Sequence, residues 1–170
     1  WKYYKGNQPV LYRIKDIRPE INNKIVENRA NEIVSFKVGY LCGEPIQYVS
    51  HTSDERITKE IEKLNNMMYS EGKAKKDKEI VEWQMICGTA YRYCVPDRGT
   101  MENAPFNIYS LDPRYTFVVY STDIEHEPLM SVAYSVGTDG LLLKATCYTD
   151  DACYVIQDGK VYEEPFALKM

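Results

Sequence analysis

The apolar residues of this chain change their spacing near Tyr91, and that change limits the fold to helices first and strands afterwards. Before Tyr91, apolar side chains recur at intervals of three and four residues, the period of a helix with one buried face. After it, apolar and polar residues alternate, and turn residues arrive at the short intervals typical of antiparallel strands. The sequence therefore predicts an α+β fold: about three N-terminal helices followed by an antiparallel β meander that the helices can cover.

The first predicted helix begins near Pro19, because proline is tolerated in a first turn and Asp16 is placed to cap it. The residues that follow three-and-four spacing are Val26, Ala30, Ile33, Val34, Lys37 and Leu41, and Ile21 and Ile25 widen this stripe. Gly39, Gly43 and Pro45 punctuate the chain after this stripe. They predict a helix end followed by a short extended segment.

Two further helices are indicated before the change of period. Thr52 and Glu55 have the spacing of a capping box, and Gly72 is predicted to end the helix that follows. Its apolar face is predicted to contain Ile57, Ile61, Leu64 and Met68. Asp77 is predicted to cap the third helix, and Gly88 is predicted to allow a neighbouring element to approach closely. The apolar face of that helix is predicted to contain Ile80, Trp83, Cys87 and Ala90.

Seven strands are predicted after the change of period. They span residues 91–95, 106–110, 116–121, 129–136, 141–148, 153–157 and 161–163. Turn-forming residues separate these strands, including those at 96–99 and the Asp158-Gly159 pair. A two-residue Asp-Gly connection is a strong hairpin signal, so the last two strands are predicted to pair directly. Residues 1–170 are expected to form a single domain.

The charge of the chain argues against a dedicated nucleic-acid binder. Its 170 residues carry a formal net charge of −4, whereas proteins that grip a phosphate backbone present a basic surface. The basic run at 73–78 is interrupted by Asp77, and it is interpreted as the solvated start of a helix. A protein that surrounds DNA without gripping it fits this charge, because many fixed cations would hold a passing duplex.

The sequence contains no pattern typical of a nucleotide-binding site, a catalytic site or a membrane-spanning segment. Neither a Walker-type nor a dinucleotide-type glycine loop is present. His51 and His126 lie in polar segments typical of caps and turns. Asp123, Glu125 and Glu127 fall in a predicted connection, where acidic residues are normally solvated. No apolar run approaches the roughly 20 residues that a membrane span requires, so we expect a soluble chain without membrane contact. From the missing nucleotide-binding and catalytic patterns we expect neither a cofactor nor a metal.

The cysteines do not have the spacing of a metal site. They are Cys42, Cys87, Cys94, Cys147 and Cys153. Zinc ligands usually come in closely spaced pairs, whereas six residues separate Cys87 from Cys94 and five separate Cys147 from Cys153. Reduced thiols are therefore predicted. For the last pair two arrangements stay open: thiols that face each other across a turn, or two buried thiols that act as small hydrophobic groups.

Several segments resemble, in the same order, the portal protein family of long-tailed phages and Gram-positive prophages. They are residues 3–6 (YYKG), 28–34 (NRANEIV), 39–46 (GYLCGEPI), 86–91 (ICGTAY), 111–113 (LDP), 117–120 (FVVY) and 129–134 (LMSVAY). The positions that carry the resemblance are Asn28, Gly39, Tyr40, Gly43, Pro45, Gly88, Tyr91, Asp112 and Pro113. Their expected roles concern folding, such as a turn at Asp112-Pro113 before the next strand. No role is carried onto residues 50–78, where the family varies.

The resemblance implies a structural subunit, not an enzyme, located at the capsid vertex of the virion and in the bacterial host cytoplasm during assembly. Family members form a ring, usually of twelve subunits, through which the terminase motor drives double-stranded DNA without sequence-specific binding. The implied partners are further copies of the same chain, the terminase large subunit, head-tail connector proteins, and the scaffold or major capsid protein. This chain resembles the N-terminal part of the wing. Its ends are interpreted as fragment boundaries, with the stem, clip and crown outside it.

Two other classes of function stay open on the residues alone. A small metal-dependent nuclease or hydrolase would use acidic residues such as Asp123, Asp150 and Asp151 around a divalent ion. A peripheral phage or host interaction module would use the fifteen tyrosines, since tyrosine supplies contact area with a polar tip. Packing of a half-exposed sheet also accounts for many of these tyrosines.

Overall fold

The computed structural model describes residues 1–70, 72–96 and 106–164, and helices precede antiparallel strands there, which confirms the predicted α+β class. A short 3₁₀ helix at Pro9–Tyr12 precedes three helices, namely α1 (Arg29–Cys42), α2 (Glu55–Ser70) and α3 (Lys73–Cys87). The strands are β1 (Tyr91–Pro96), β2 (Phe106–Leu111), β3 (Thr116–Tyr120), β4 (Pro128–Val136), β5 (Leu142–Tyr148), β6 (Cys153–Gln157) and β7 (Lys160–Glu164).

The described residues fall into two compact units. The helical unit comprises the described part of residues 1–90, and the β unit comprises residues 91–96 and 106–164. In the helical unit, α1 and α2 both contact α3. The assignment of residues 1–170 to a single domain stays a prediction.

Helix α1 begins at Arg29, so the predicted start near Pro19 with an Asp16 cap is wrong. The reason is local: Arg18 has a φ of 53°, in the left-handed region. The amide of Ile21 then bonds back to the Arg18 carbonyl at 3.0 Å, which closes a turn. Asn28 is the N-cap instead, because its side chain accepts a hydrogen bond from the Asn31 amide.

The buried side of α1 differs from the predicted stripe by one residue. Val34 and Cys42 are buried and Val38 is partly buried, as expected for residues on one helix face. Ile33 and Leu41, which belong to the predicted stripe, are 55% and 52% exposed. Two adjacent sets of apolar residues, offset by one position, both fit the helical period. Only the packing of α1 against α3 determines which set is buried.

The two other predicted N-caps are also wrong. At α2, the Asp54 carboxylate accepts a hydrogen bond from the Arg56 amide at 2.8 Å, while the Thr52 amide bonds to the Ser50 hydroxyl at 3.1 Å. Asp54 is therefore the capping residue in place of Thr52. At α3, Asp77 lies inside the helix, and it is buried.

Glycines terminate two helices through positive φ angles. Gly72, at φ 65°, lies between α2 and α3, which confirms the predicted end of α2. Gly88, at φ 77°, follows α3, and its amide bonds to the Gln84 carbonyl at 2.9 Å. A Cβ atom at Gly88 would meet nothing within 4 Å. The predicted close approach of a neighbour to Gly88 is therefore wrong, and its left-handed conformation explains the glycine instead.

The strand predictions are confirmed to within one residue at each end. Strands β1 and β2 pair as a two-stranded sheet, and β3 to β7 form a five-stranded sheet in which each strand neighbours the next. Asp158 and Gly159 connect β6 to β7 with φ angles of 53° and 71°, as a two-residue hairpin of this handedness requires. The predicted connection at 96–99 lies, beyond Pro96, outside the described residues.

The core of the β unit lies on both faces of the five-stranded sheet. Thr116 and Val155 are buried on one face, and on that same face Tyr148 meets Tyr93 of β1 with ring centroids 5.2 Å apart. Val132 and Ala145 are buried on the opposite face. That second face also carries apolar side chains that stay at least a third exposed, namely Phe117, Met130, Leu143 and Val161.

Candidate functional site

Asn28, one of the positions that carry the family resemblance, connects helix α1 to the N-terminal segment. Its side-chain oxygen caps α1 by accepting from the Asn31 amide at 3.2 Å. Its side-chain nitrogen donates to the Tyr4 carbonyl at 2.9 Å. One side chain thus starts the helix and ties the N-terminal segment to it.

A second set of contacts ties the N-terminal segment to α3. The Tyr4 hydroxyl donates to the Glu82 carboxylate at 2.6 Å, and the Trp1 and Trp83 rings stack with centroids 5.2 Å apart. The hydrogen bond to Glu82, together with burial, raises the pKa of Tyr4 to about 12, because the ionised phenolate would lose this donor and face a carboxylate. The N-terminal residues are therefore an integral part of the helical unit.

The segment at the end of α1 carries four of the resemblance positions. Gly39 lies inside the helix, whereas Gly43 follows its last residue, so of the two only Gly43 marks the predicted helix end. A Cβ atom at Gly43 would lie 2.6 Å from the Gly39 carbonyl oxygen, closer than packing allows. Tyr40 is 82% exposed. Pro45 lines a small cavity of about 150 Å³ beside the end of α2.

The segment after Pro45 is held by polar contacts that the sequence interpretation missed. The Lys73 ammonium forms an ion pair with Asp77 and donates to the Ile46 carbonyl at 3.3 Å. The Asn65 side chain bonds to both backbone groups of Tyr48, at 3.0 and 2.9 Å. Lys73 and Asp77 are each only 7% exposed, so a basic run interpreted as solvated contains a buried pair. The four-residue spacing of opposite charges was the available signal.

The resemblance positions of the β unit form a strand start and a turn. Tyr91 begins β1 and pairs with Leu111 of β2. The Asp112 carboxylate accepts from the Arg114 amide at 2.9 Å and from the Arg114 guanidinium, and the guanidinium holds the pKa of Asp112 below its usual value. The amide of Tyr115 bonds to the Asp112 carbonyl at 3.0 Å. The predicted turn at Asp112-Pro113 before β3 is confirmed.

The outward side of α1 is an exposed apolar surface. Phe36 and Tyr40 stack with ring centroids 6.5 Å apart and are 73% and 82% exposed. Ile33 and Leu41, also more than half exposed, lie on the same helix. Exposed aromatic and aliphatic side chains grouped in this way are typical of contact surfaces.

The first thirteen residues form a groove. This N-terminal groove, about 700 Å³ in volume, is lined by Tyr3, Pro9, Val10 and Tyr12 together with the cationic side chains of Lys2 and Arg13. Asn7 is its remaining lining residue, so no carboxylate lines it among the described residues. Its chemistry suits an apolar side chain flanked by negative charges.

The β3–β4 loop, residues 121–127, combines an exposed apolar side chain with acidic residues. The Ser121 amide bonds to the Glu127 carbonyl at 2.8 Å, and the Ser121 hydroxyl accepts from the Glu127 amide at 2.9 Å. The Asp123 carboxylate accepts from the Ser121 hydroxyl and from the His126 amide, and these bonds lower the pKa of Asp123. Ile124 is 98% exposed at the tip.

The candidates for catalysis or metal binding are not brought together in the described part of the chain. His51 precedes α2 in the helical unit, whereas His126 lies in the β3–β4 loop, and both are exposed. Asp150 and Asp151 occupy the turn between β5 and β6, at the same end of the five-stranded sheet as the loop that holds Asp123. Among described residues, no group of three or more histidine, cysteine or acidic side chains is placed to hold a metal ion.

The cysteines are free thiols. Strand register pairs Cys147 with Tyr154 and Tyr148 with Cys153, so the two cysteines point to opposite faces of the sheet. The arrangement in which they face each other across the turn is therefore wrong. Burial raises the pKa of Cys153, as expected for a thiol that acts as a small hydrophobic group.

A protein-family model matches nearly the whole chain. The family model described as "Phage portal protein, SPP1 Gp6-like" matches residues 1–165. No curated protein matches the chain. In the described residues, no helix has the length and apolar character needed to cross a membrane.

Proposed function

The chain belongs to the SPP1 Gp6-like phage portal protein family, and from that membership we propose that it builds the wing of a portal ring at the capsid vertex. In this proposal, identical subunits surround a channel through which double-stranded DNA is packaged and ejected. The proposal adds the ring, the channel and the vertex to the general portal role that membership gives.

One observation carries the proposal: the family match extends over residues 1–165, through both units. The architecture is compatible with it, because several of the resemblance positions act as a helix cap, a helix end, a strand start or a turn. Asn28 and Asp112, for example, satisfy backbone amides at 3.2 and 2.9 Å and touch no candidate catalytic group. A structural subunit needs side chains of this kind.

Exposed apolar surface also supports an assembly role. Phe36 and Tyr40 on α1 are 73% and 82% exposed, and Phe117 on the sheet is 44% exposed. Covering such surface against neighbouring subunits removes it from water, which stabilises an assembly by about 25 cal/mol per Å² before the costs of association. We propose that neighbouring portal subunits provide this cover.

The proposed partners follow from the same role. Further copies of the chain form the ring, the terminase large subunit docks during packaging, and head-tail connector proteins bind afterwards. Scaffold or major capsid protein surrounds the ring at the vertex, and assembly takes place in the bacterial host cytoplasm. The portal itself catalyses no reaction in this proposal.

Electron microscopy of the protein expressed at its natural length tests the proposal. Closed rings with a central channel are expected, with one ring size predominating. Mass photometry of the same sample gives the subunit number independently. Monomers or open filaments at every concentration, in place of rings, would contradict the proposed function.

A further inference from the structure

We propose that the N-terminal groove of one subunit binds the β3–β4 loop of a second copy of this chain, with Ile124 inserted between Tyr3 and Tyr12. This inference rests on the proposed ring function and names the two surfaces that would join neighbouring subunits. None of these residues is among the nine positions that carry the family resemblance.

The groove has the composition expected of a receptor for one apolar side chain with acidic neighbours. Tyr3 and Tyr12 are 58% and 69% exposed, and their rings offer apolar area with polar tips. Lys2 and Arg13 stand beside them, and neither forms an ion pair with a described residue. The first 18 residues hold five basic residues and one acidic residue, although the chain as a whole has a net charge of −4.

The loop supplies the complementary features in a fixed shape. Ile124 is 98% exposed, so no described part of its own subunit covers it. The loop is closed by hydrogen bonds that involve Ser121, Asp123 and Glu127, and Glu125 and Glu127 are exposed on either side of His126. Because the loop is already ordered by its own bonds, binding would lose little conformational entropy.

Ring geometry requires such a pair of surfaces. A closed ring of more than two identical subunits uses heterologous contacts, in which two different patches of the chain meet. The groove and the loop are two different patches with opposite charge, and both retain exposed apolar groups. Opposite charges across an interface direct the partners and exclude wrong registers.

The groove chemistry favours this occupant over DNA. A duplex is held by many phosphate contacts spread along a basic surface, whereas Lys2 and Arg13 are the two cations among the described lining residues. Apolar walls contribute little to a phosphate backbone but stabilise an inserted isoleucine. Duplex DNA is therefore the competing outcome in the experiment below.

Charge reversal and rescue in the protein of natural length test the pairing by electron microscopy and mass photometry. Ile124→Glu and the double variant Lys2→Glu/Arg13→Glu are each expected to reduce the ring fraction at least tenfold. Adding Glu125→Lys and Glu127→Lys to the double variant is expected to restore rings. The control Lys59→Glu/Lys63→Glu changes charge equally on exposed positions of α2 outside the groove, and it should assemble like the wild type.

A photo-crosslinking amino acid at position 124 gives a second readout that does not depend on assembly yield. Crosslinks to residues 2–13 of another subunit are expected, and crosslinks confined to other regions would overturn the pairing. If the Ile124→Glu variant forms rings to the same extent as the wild type, this inference alone is overturned. Absence of rings in the wild type overturns the proposed function, and the inference with it. Intact rings with weakened DNA binding in Lys2→Glu/Arg13→Glu would assign the groove to DNA and overturn the pairing.

Discussion

The buried ion pair between Lys73 and Asp77 shows how a single charged residue can hold two parts of the helical unit together. Lys73 also reaches the Ile46 carbonyl at 3.3 Å, and its ammonium lies 5.4 Å from the Tyr48 ring centroid. Both charged side chains are 9% exposed. A charge left unpaired at this depth costs far more than the pair gains over an apolar replacement.

We predict that Lys73→Met lowers the free energy of unfolding by about 3–5 kcal/mol, because it removes the cation that pairs with the buried Asp77 carboxylate. The double variant Lys73→Met/Asp77→Leu should be the more stable of the two, since it removes both charges. Urea denaturation followed by circular dichroism measures the difference. Equal losses in both variants would mean that the bond to Ile46, and not the ion pair, is what matters.

Tyr4 makes stability depend on pH in the alkaline range. Its pKa is raised from 10.0 to about 12 in the folded chain, so between these values the unfolded chain loses a proton that the folded chain keeps. The contribution is complete below pH 10.0 and is lost as the pH rises towards about 12. We therefore predict that stability falls across this window.

Tyr4→Phe isolates the contribution of that hydroxyl, because the variant cannot ionise and lacks the bond to Glu82. The difference in unfolding free energy between wild type and variant is expected to shrink as the pH rises through the window. Tyr148, whose pKa is also raised by burial, is present in both proteins and cancels. A difference that is constant with pH would show that Tyr4 does not titrate as proposed.

At the scale of elements, strands were predictable and helix starts were not. The β strands follow from alternation and turn residues within a few positions, as at Asp158-Gly159, so local sequence suffices. Helix starts depend on which of several polar residues caps the helix. Asn28 and Asp54 do so here, although Asp16 and Thr52 have equally suitable side chains.

The contact surfaces could be predicted only in part, for a physical reason. Periodicity identifies an apolar helix face, but it does not tell which of two adjacent lines is covered, and in α1 the exposed one contains Ile33 and Leu41. The N-terminal groove combines residues from a turn and a 3₁₀ helix that no repeating pattern connects. The Lys73–Asp77 pair was accessible from spacing, but its burial depends on tertiary contacts.

Asn28 allows a test of how an element and its tether depend on one side chain. Asn28→Ala loses both the cap of α1 and the bond to the Tyr4 carbonyl, and it is expected to cost about 1–2 kcal/mol in unfolding free energy. Asn28→Asp keeps an oxygen for the Asn31 amide but cannot donate to Tyr4. Thermal unfolding should place Asn28→Asp between wild type and Asn28→Ala. A ranking with Asn28→Asp lowest would contradict the capping role.

At the scale of the whole molecule, charge distinguishes a channel that lets DNA pass from a protein that grips it. The net charge is −4 over 170 residues, and five of the basic residues lie within the first 18. Non-specific duplex binding depends on how many phosphates are neutralised, and it weakens steeply with salt. The basic residues of the N-terminal groove, Lys2 and Arg13, are assigned by our inference to contact with a neighbouring subunit.

We therefore predict that the protein at its natural length binds duplex DNA no more tightly than a Kd of about 1 µM at physiological salt. Fluorescence anisotropy with a labelled duplex, repeated over a salt series, gives both the affinity and the number of phosphate contacts. In the proposed ring the β3–β4 loop of a neighbouring subunit occupies the groove, so Lys2→Glu/Arg13→Glu rescued by Glu125→Lys/Glu127→Lys should leave the salt slope unchanged. Submicromolar binding with a steep slope would contradict the free passage of DNA through the proposed channel.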